Sequence, residues 1–234
     1  MLTKTTTKTA TSEFTIQPAD HAHLHYADEI CVHYEESAKQ RGTGIAKRNP
    51  EYVMEKMREG KAIIALHRDG RFAGFSYIET WSHGNYVANS GLIVNPAFRM
   101  HGLGSQIKGA IFELSKYKYP RAKIFGITTS MAVLKMNSDL GYRPVVFSEL
   151  TQDDEFWKGC NSCPNVDILQ RNSRKMCLCT GMLYDPAQQE HKKPFDIRKQ
   201  MVKFERWFRM KQFLLFKKFR NDTSSEKTNG NSAA

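Results

Sequence analysis

The sequence predicts an α+β fold, in which strands and helices follow one another along one main domain. An apolar run that ends at Val94 is followed by a glycine-rich turn and then by residues with helical spacing over about 103–117. Two strand-like runs, 61–67 and 71–81, flank an Arg-Asp-Gly turn, which is a hairpin signal. Apolar residues make up 40% of the 234 positions, which is enough for a sizeable core.

Before the hairpin, the chain is predicted to form one short strand and two helices. The strand covers 14–16 and ends at a Gln-Pro pair. Asp20 can cap a helix over about 21–39, because its carboxylate accepts hydrogen bonds from the free N–H groups of a first turn. A second helix begins near Pro50, where the missing N–H of proline costs no hydrogen bond.

After the glycine-rich turn and its helix, strands and helices are predicted to alternate. A helix over 131–140 ends at a Gly-Tyr-Arg-Pro sequence, because glycine fits the C-cap and proline stops continuation. Strands are predicted at residues 123–129, 145–147 and 176–184. The segment of about 148–175 is therefore an insertion before the last strand.

The glycine-rich turn is the motif that points most directly to a ligand. Leu92, Ile93 and Val94 lead through an Asn-Pro pair into a loop that opens a helix, whose first N–H groups can bind phosphate. The candidate residues are Arg99, Met100, His101, Gly102, Leu103, Gly104 and Ser105. An ordinary helix entry is the alternative. The turn is neither a Walker loop, which needs Gly-Lys-Ser/Thr, nor a dinucleotide fingerprint, which needs a third glycine.

In this context the pattern Val-x-Pro-x-x-Arg-x-x-Gly-x-Gly, which starts at Val94, resembles the GNAT superfamily of N-acyltransferases. The order of predicted elements matches that superfamily over about 14–186, and the Leu-Gly-Tyr-Arg at 140–143 resembles its late Leu-Gly-Phe turn. The resemblance implies a GNAT fold with a central mixed, mostly antiparallel sheet flanked by helices. It implies an enzyme that moves an acetyl or other acyl group from acetyl-CoA, whose pyrophosphate lies on this loop, to a primary amine.

A narrower resemblance concerns the amine that accepts the acyl group. Residues 41–48, residues 77–81 and the Cys-x-Cys pair resemble N-acetyltransferases of the N-acetylglutamate synthase type, which are linked to arginine biosynthesis. This resemblance implies a small amino acid such as glutamate. Arg41, Lys47 and Arg48 form a basic cluster that suits its carboxylates, since guanidinium groups bind carboxylates in bidentate fashion. A solvated basic loop is the alternative.

Acyl transfer needs a positioned thioester, a donor to the developing oxyanion and a base for the amine. The resemblance implies that the strand before the loop parts from its neighbour, and that the donor is the backbone N–H of about Ile93 or Val94. Glu79 is the first candidate base and His83 the second; a strand-face charge, a loop histidine and a water chain are the alternatives. At the position of the superfamily's acid tyrosine stands Asn137, which can only donate a hydrogen bond to the leaving thiolate.

Four of the five cysteines fall into two pairs, Cys160-x2-Cys163 and Cys177-x-Cys179. The second pair is predicted to share one face of the last strand. Four thiolates from a tight turn and a strand could surround one structural Zn²⁺ ion tetrahedrally. Reduced packing thiols and redox chemistry are the alternatives.

Positive charge is concentrated near the C-terminus. Residues 187–220 carry eleven Lys/Arg against three Asp/Glu, which is +8 of the formal +11 of the chain, so a nucleic-acid-binding surface over the whole domain is disfavoured. This segment is predicted to be a basic amphipathic helix, in which residues 195–220 pack on the domain, pair with a second copy in a homodimer, or lie on an anionic membrane. Contact with RNA is a further alternative.

The two ends are predicted to be a disordered leader over 1–13 and a polar, disordered tail over 221–234. The leader lacks the apolar region of a secretory signal, and no apolar stretch approaches the roughly 20 residues that span a bilayer. A cytoplasmic enzyme is therefore expected. One rival is an acyltransferase for a protein or other amine. Another is a GNAT-like binding module without catalysis, which acts at a membrane or on RNA through its basic helix.

Overall fold

The computed structural model describes residues 13–41 and 48–190, which form one seven-stranded sheet with helices on both faces. The strands are β1 (Phe14–Pro18), β2 (Ala62–His67), β3 (Phe72–Trp81), β4 (Tyr86–Val94), β5 (Lys123–Thr128), β6 (Arg143–Val145) and β7 (Thr180–Tyr184). They lie in the order β1-β2-β3-β4-β5-β7-β6, and every neighbouring pair is antiparallel except β4 and β5. The sheet is therefore mixed and mostly antiparallel, as the superfamily resemblance implied.

Seven α-helices lie in the described residues. They are α1 (Ala27–Arg41), α2 (Pro50–Arg58), α3 (Leu103–Lys118), α4 (Met131–Asp139), α5 (Asp154–Lys158), α6 (Val166–Arg171) and α7 (Pro186–Glu190). Asp20 caps as predicted, since its Oδ1 accepts the N–H of Ala22 at 2.9 Å, but the first turns, His21–Tyr26, are 3-10 helix rather than α-helix. Pro50 occupies the first turn of α2, as expected.

Two apolar cores hold the helices against the sheet. On one face, α3 places Ile107, Ile111 and Phe112 against Ile78 and Val87. On the other face, α1 and α2 pack onto alternate residues of the same strands; the buried members include Ile30, Tyr34, Val53, Met57, Phe72, Phe75 and Tyr77. Because successive strand residues point to opposite faces, β3 supplies both cores.

One extra residue interrupts the pairing of β4 with β3. Tyr77 is opposite Ser90 and Phe75 is opposite Ile93, so one residue of β3 faces two residues of β4. This is a β-bulge, which bends a strand and leaves part of its backbone unpaired. Gly91 lies in the bulge with a φ of 62°, a backbone conformation that glycine adopts at low cost.

On its other edge, β4 pairs with β5 only from Tyr86 to Ala88. Beyond Ala88 the two strands have no register partners, while β5 continues along β7 as far as Thr128. The sheet therefore opens between β4 and β5 on the side that leads to the glycine-rich loop. This parting of strands is what the superfamily resemblance implied.

The insertion folds over the sheet beside the opening. Helices α5 and α6, which the sequence analysis did not predict, bury Trp157 and Leu169 in a third cluster with Phe125 and Leu183. The strand predicted at 145–147 lies two residues earlier, because residues 147–149 form a 3-10 turn that buries Phe147.

The last strand is shorter than predicted, since it begins at Thr180. Cys177 and Cys179 therefore precede the strand, and the prediction that they share one of its faces is wrong. No described helix is long and apolar enough to cross a membrane. The predicted leader up to residue 12, the basic helix over 195–220 with its dimer or membrane contacts, and the tail lie outside the described residues.

Candidate active site

The first part of the loop after β4, residues 95–98, is anchored to the domain at two points. The Nδ2 atom of Asn95 donates to the backbone oxygen of Phe72 at 2.9 Å, and its Oδ1 accepts the N–H of Ala97 at 3.1 Å. Phe98 is buried and stacks on His67, with 5.0 Å between the ring centroids. The loop is thus anchored before its glycine-rich part begins.

The start of α3 has the features of an anion-binding site. Gly102 precedes the helix with a φ of 70°, and no side chain caps the helix there. The first turn contains no acidic residue, while Arg99, His101 and Ser105 are exposed around it. Met100 has a φ of 71° and is almost completely exposed. The unpaired N–H groups at the start of a 16-residue helix therefore face outward beside the exposed Arg99 guanidinium.

The opening between β4 and β5 begins directly beside this loop. The N–H of Asn95 bonds to the oxygen of Ala73 at 2.9 Å, and Ile93 is opposite Phe75. Because hydrogen-bonded positions alternate along an antiparallel pair, the N–H of Val94 points away from β3 and toward the opening. Of the two N–H groups expected from the sequence, the register favours that of Val94 as the one that faces the opening.

A polar cluster lies on the α1–α2 face of the opening, around Glu79. Its two carboxylate oxygens accept hydrogen bonds from the hydroxyls of Tyr52 and Ser90, each at 2.5 Å. Burial, reinforced by the Glu79 charge, raises the pKa of Tyr52 far above its ordinary value, so this hydroxyl stays protonated and donates at neutral pH. The predicted base is thus bonded to Ser90, the residue that directly precedes the bulge.

Arg48, which lies two residues before α2, also contacts this cluster. Its Nε donates to the Tyr77 hydroxyl at 2.5 Å, and the positive charge acts on Glu79 as well. Tyr34 reaches the same place from α1 and donates to the oxygen of Gly91 at 2.5 Å. A cation and a carboxylate therefore lie side by side near the bulge, which suits a ligand that carries both charges.

The other face of the opening holds a second polar cluster, which the sequence analysis missed. Lys108 on α3 points into the domain, is 3% exposed, and places its Nζ 3.4 Å from Oδ1 of Asn89 and 5.2 Å from the ring centroid of Tyr142. Burial lowers the pKa of Lys108 to about 7. A lysine on the same helical face as Ile111 and Ser115 was the available signal.

The remaining predicted residues fall at different distances from these clusters. His83 is exposed in the turn after β3 and takes no part in the Glu79 hydrogen-bond network. Asn137 on α4 is 2% exposed, and its Oδ1 has no hydrogen-bond partner among the described residues. Lys47 and the side chain of Arg41 lie outside the described residues, so the predicted basic cluster is described only at Arg48.

The four cysteines of the two sequence pairs are free thiols that line one small cavity beside the insertion. The other residues that line the cavity are Ile127, Phe147, Asn165, Val166 and Leu169. Burial raises the pKa of Cys160 to about 11 and that of Cys179 to about 12. These thiols are therefore protonated at neutral pH. Within the described ranges, no group of three or more His, Cys, Asp or Glu side chains is arranged to hold a metal ion, and the zinc prediction gains no support.

Solved structures share the fold of this chain, although the comparisons of its sequence find no match. No protein-family model matches the chain, and no curated protein matches it in sequence. Solved structures do. N-acetylglutamate synthase from Neisseria gonorrhoeae, solved with coenzyme A and N-acetyl-glutamate, is similar with a TM-score of 0.53 at 15% identity. That match covers 75% of this chain and 35% of the synthase chain, so this chain spans about a third of its length.

Two further solved structures are matched over nearly their full length. Rv2747 from Mycobacterium tuberculosis, solved with CoA, has a TM-score of 0.52 at 16% identity, over 73% of this chain and 98% of its own. The protein yncA from Salmonella typhimurium, solved with its cofactor acetyl-CoA, has a TM-score of 0.52 at 14% identity, over 79% and 99%. At these identities the likeness shows the fold: this chain has the GNAT fold, as its loop motif predicted.

Proposed function

We propose that the protein is an acyl-CoA-dependent N-acyltransferase that transfers an acetyl group from acetyl-CoA to the amine of a small amino acid. The observation that carries this proposal is the uncapped start of α3, next to the place where β4 and β5 part. The helix N-terminus suits a pyrophosphate, and the opening suits an extended arm with a thioester at its end. The structures solved with CoA or acetyl-CoA share this fold, which supports the same ligand class here.

On the donor side, three groups of this chain have roles. The N–H groups at the start of α3 and the Arg99 guanidinium bind the pyrophosphate. The N–H of Val94 donates to the extended arm and not to the thioester oxygen, because Val94 lies about 13 Å along β4 from Ser90, which holds the proposed base. The opening excludes water from the thioester once the arm fills it.

On the acceptor side, Glu79 and Arg48 beside the bulge bind and deprotonate the acceptor. Glu79 takes the proton that the attacking amine loses, and the Tyr52 and Ser90 hydroxyls hold its carboxylate in place. Arg48 is placed to attract the carboxylate of the acceptor, while Glu79 attracts its amine. An α-amino acid carries both groups a few ångströms apart. Glutamate is our first choice, which would connect the enzyme to arginine biosynthesis in the cytoplasm.

The donor half of this proposal is tested by titration calorimetry with acetyl-CoA. We expect saturable binding, weakened about tenfold by Arg99→Ala, because a lost charge-assisted contact to phosphate is worth about 1.5 kcal/mol or more. The matched control is Arg121→Ala, an exposed arginine after α3, which should leave the affinity unchanged. Equal affinity in both variants would remove Arg99 from the site, and no heat with any CoA ester would refute the enzyme.

The acceptor half is tested by release of the CoA thiol with a panel of amines. Release with glutamate, at the expense of amines that lack a carboxylate, is the expected result. Release only with a peptide amine or an aminoglycoside would instead identify the rival acyltransferase. Binding of acetyl-CoA without release by any amine would favour the module that has lost its catalytic function.

A further inference from the structure

Lys108 is a buried cation whose surroundings offer it no opposite charge. The groups that face its Nζ are the Asn89 amide from β4 and the Tyr142 ring after α4, and both are neutral. Burial raises the pKa of Tyr142, so the phenol keeps its proton. No carboxylate among the described residues influences the ammonium. Lysine is almost never fully buried without a partner, so a role in chemistry is a reasonable explanation.

The position of Asn89 connects this lysine to the opening. Asn89 is the first residue of β4 beyond its last partner on β5, so it marks the inner end of the gap. From Val94 to Asn89 the strand extends about 16 Å, at about 3.3 Å for each residue. An extended arm of that length, bound from the helix N-terminus along β4, would place its sulfur near Asn89, at the inner end of the opening.

The two polar clusters meet at this inner end from opposite sides. Asn89 and Ser90 are neighbours in β4, and neighbouring strand residues point to opposite faces. Ser90 holds Glu79 on the α1–α2 face, while Asn89 holds Lys108 on the α3 face. Asn89 is itself fixed, since its Nδ2 donates to Ser115 at 2.7 Å and its Oδ1 also accepts the Tyr142 hydroxyl at 3.0 Å.

We propose that Lys108 is the proton donor to the thiolate of coenzyme A as it leaves, which takes over the role that Asn137 cannot fill. This inference rests on the proposed function. When the amine attacks, the carbon–sulfur bond breaks and its electron pair stays on sulfur. The Lys108 ammonium gives one proton to that sulfur and becomes a neutral amine, while Glu79 takes the proton that the attacking nitrogen loses. After release, Lys108 regains a proton from water and Glu79 returns one.

The first test compares Lys108→Met and Lys108→Arg with the unchanged protein. We expect both variants to bind acetyl-CoA within about threefold of the normal affinity, and kcat to fall about 100-fold or more, as for loss of a general acid. Arginine keeps the charge but does not release its proton, so a folded arginine variant that binds acetyl-CoA normally and turns over slowly indicates proton donation and not charge alone. Lys116→Met on the exposed face of α3 is the matched control and should keep normal turnover.

The second test needs no turnover. The ultraviolet absorbance of the thiolate is followed in a pH titration of bound CoA. The thiolate and the Lys108 ammonium stabilise each other as an ion pair, so the lysine keeps its proton beside a thiolate, and thiolate absorbance should appear at least about one pH unit below that of free CoA. Lys108→Met should abolish this displacement, whereas Lys108→Arg and Lys116→Met should keep it.

The outcomes separate the two proposals. Normal kcat in Lys108→Met, or the same thiol titration in the unchanged protein and this variant, would overturn the role of Lys108 while leaving the acyltransferase intact. If no amine releases thiol from the unchanged protein, the proposed function fails. The titration of bound CoA then still decides whether Lys108 faces the sulfur. Lys108→Leu, which retains the apolar bulk, repeats the test if Lys108→Met does not fold.

Discussion

Replacement of Lys108 by methionine should stabilise the protein near neutral pH. The ammonium is buried without an opposite charge, and burial lowers its pKa from 10.5 to about 7. The unfolded chain therefore holds a proton on this lysine between pH 7 and 10.5, where the folded protein has released it. Because the unfolded state binds more protons in that window, stability rises with pH there.

The size of the effect follows from the two pKa values. Each pH unit between them is worth about 1.4 kcal/mol, so the lysine costs about 4 kcal/mol at pH 7 and about 2 kcal/mol at pH 9. The cost is nearly absent above pH 10.5. Methionine has a similar length and no charge, so the variant lacks this term at every pH. The advantage of Lys108→Met over the unchanged protein should therefore shrink by about 2 kcal/mol from pH 7 to pH 9.

Urea unfolding at the two pH values measures this difference, and other titrating groups cancel because they are common to both proteins. Lys116→Met is the control: Lys116 is 41% exposed and pairs with Glu113, so its replacement should change stability by less than about 0.5 kcal/mol at either pH. An advantage of Lys108→Met that is the same at pH 7 and pH 9 would refute the assigned cost of the buried ammonium. A variant that is less stable at both values would also refute it.

Three further predictions concern the base, the bulge and the cysteines. Glu79→Gln keeps the shape of the side chain but removes the base, so kcat in the thiol-release assay should fall about 100-fold. The affinity for acetyl-CoA should stay unchanged, and normal turnover would exclude Glu79 as the base. Gly91→Ala should destabilise by about 2–4 kcal/mol in urea unfolding, because its φ is positive and the new methyl meets the Tyr77 ring, whereas Gly109→Ala on α3 has open space and should not destabilise. Metal analysis tests the zinc prediction: because the described cysteines are protonated and not arranged around a metal ion, we expect metal-free protein after gentle purification, and near-stoichiometric zinc that is lost in Cys160→Ser would contradict this.

The parts of the fold that depend on local chemistry were predictable from the sequence. The Asn-Pro pair that ends β4 and the two glycines that open α3 act on their own backbone, so a short pattern was sufficient to locate the loop. The same holds for the cap at Asp20. The parting of β4 and β5 came from the family resemblance, since a bulge depends on the partner strand and leaves no signal except a glycine.

Long-range contacts account for what the sequence analysis missed. Lys108 and Asn89 are 19 positions apart in sequence, and nothing local indicates that they meet across the sheet. The insertion helices are five and six residues long, too short for a clear periodic pattern, and they form because they cover Phe125. The last strand was overextended because alternation continued into Cys177 and Cys179, which instead turn toward the cavity.

The extra residue in β4 is not needed to fill the cores of the domain, but it shapes the part of the strand that lies beside the opening. A chain without Gly91 could continue the ladder from Ser90 to Ile93 without a break, and every later side chain of β4 would keep its present face. The two apolar cores would be equally well filled, but β4 would lose its bulge and, with it, the bend that lies beside the opening. In this architecture one inserted residue is therefore enough to change a regularly paired strand into a strand with free backbone groups that can bind a ligand.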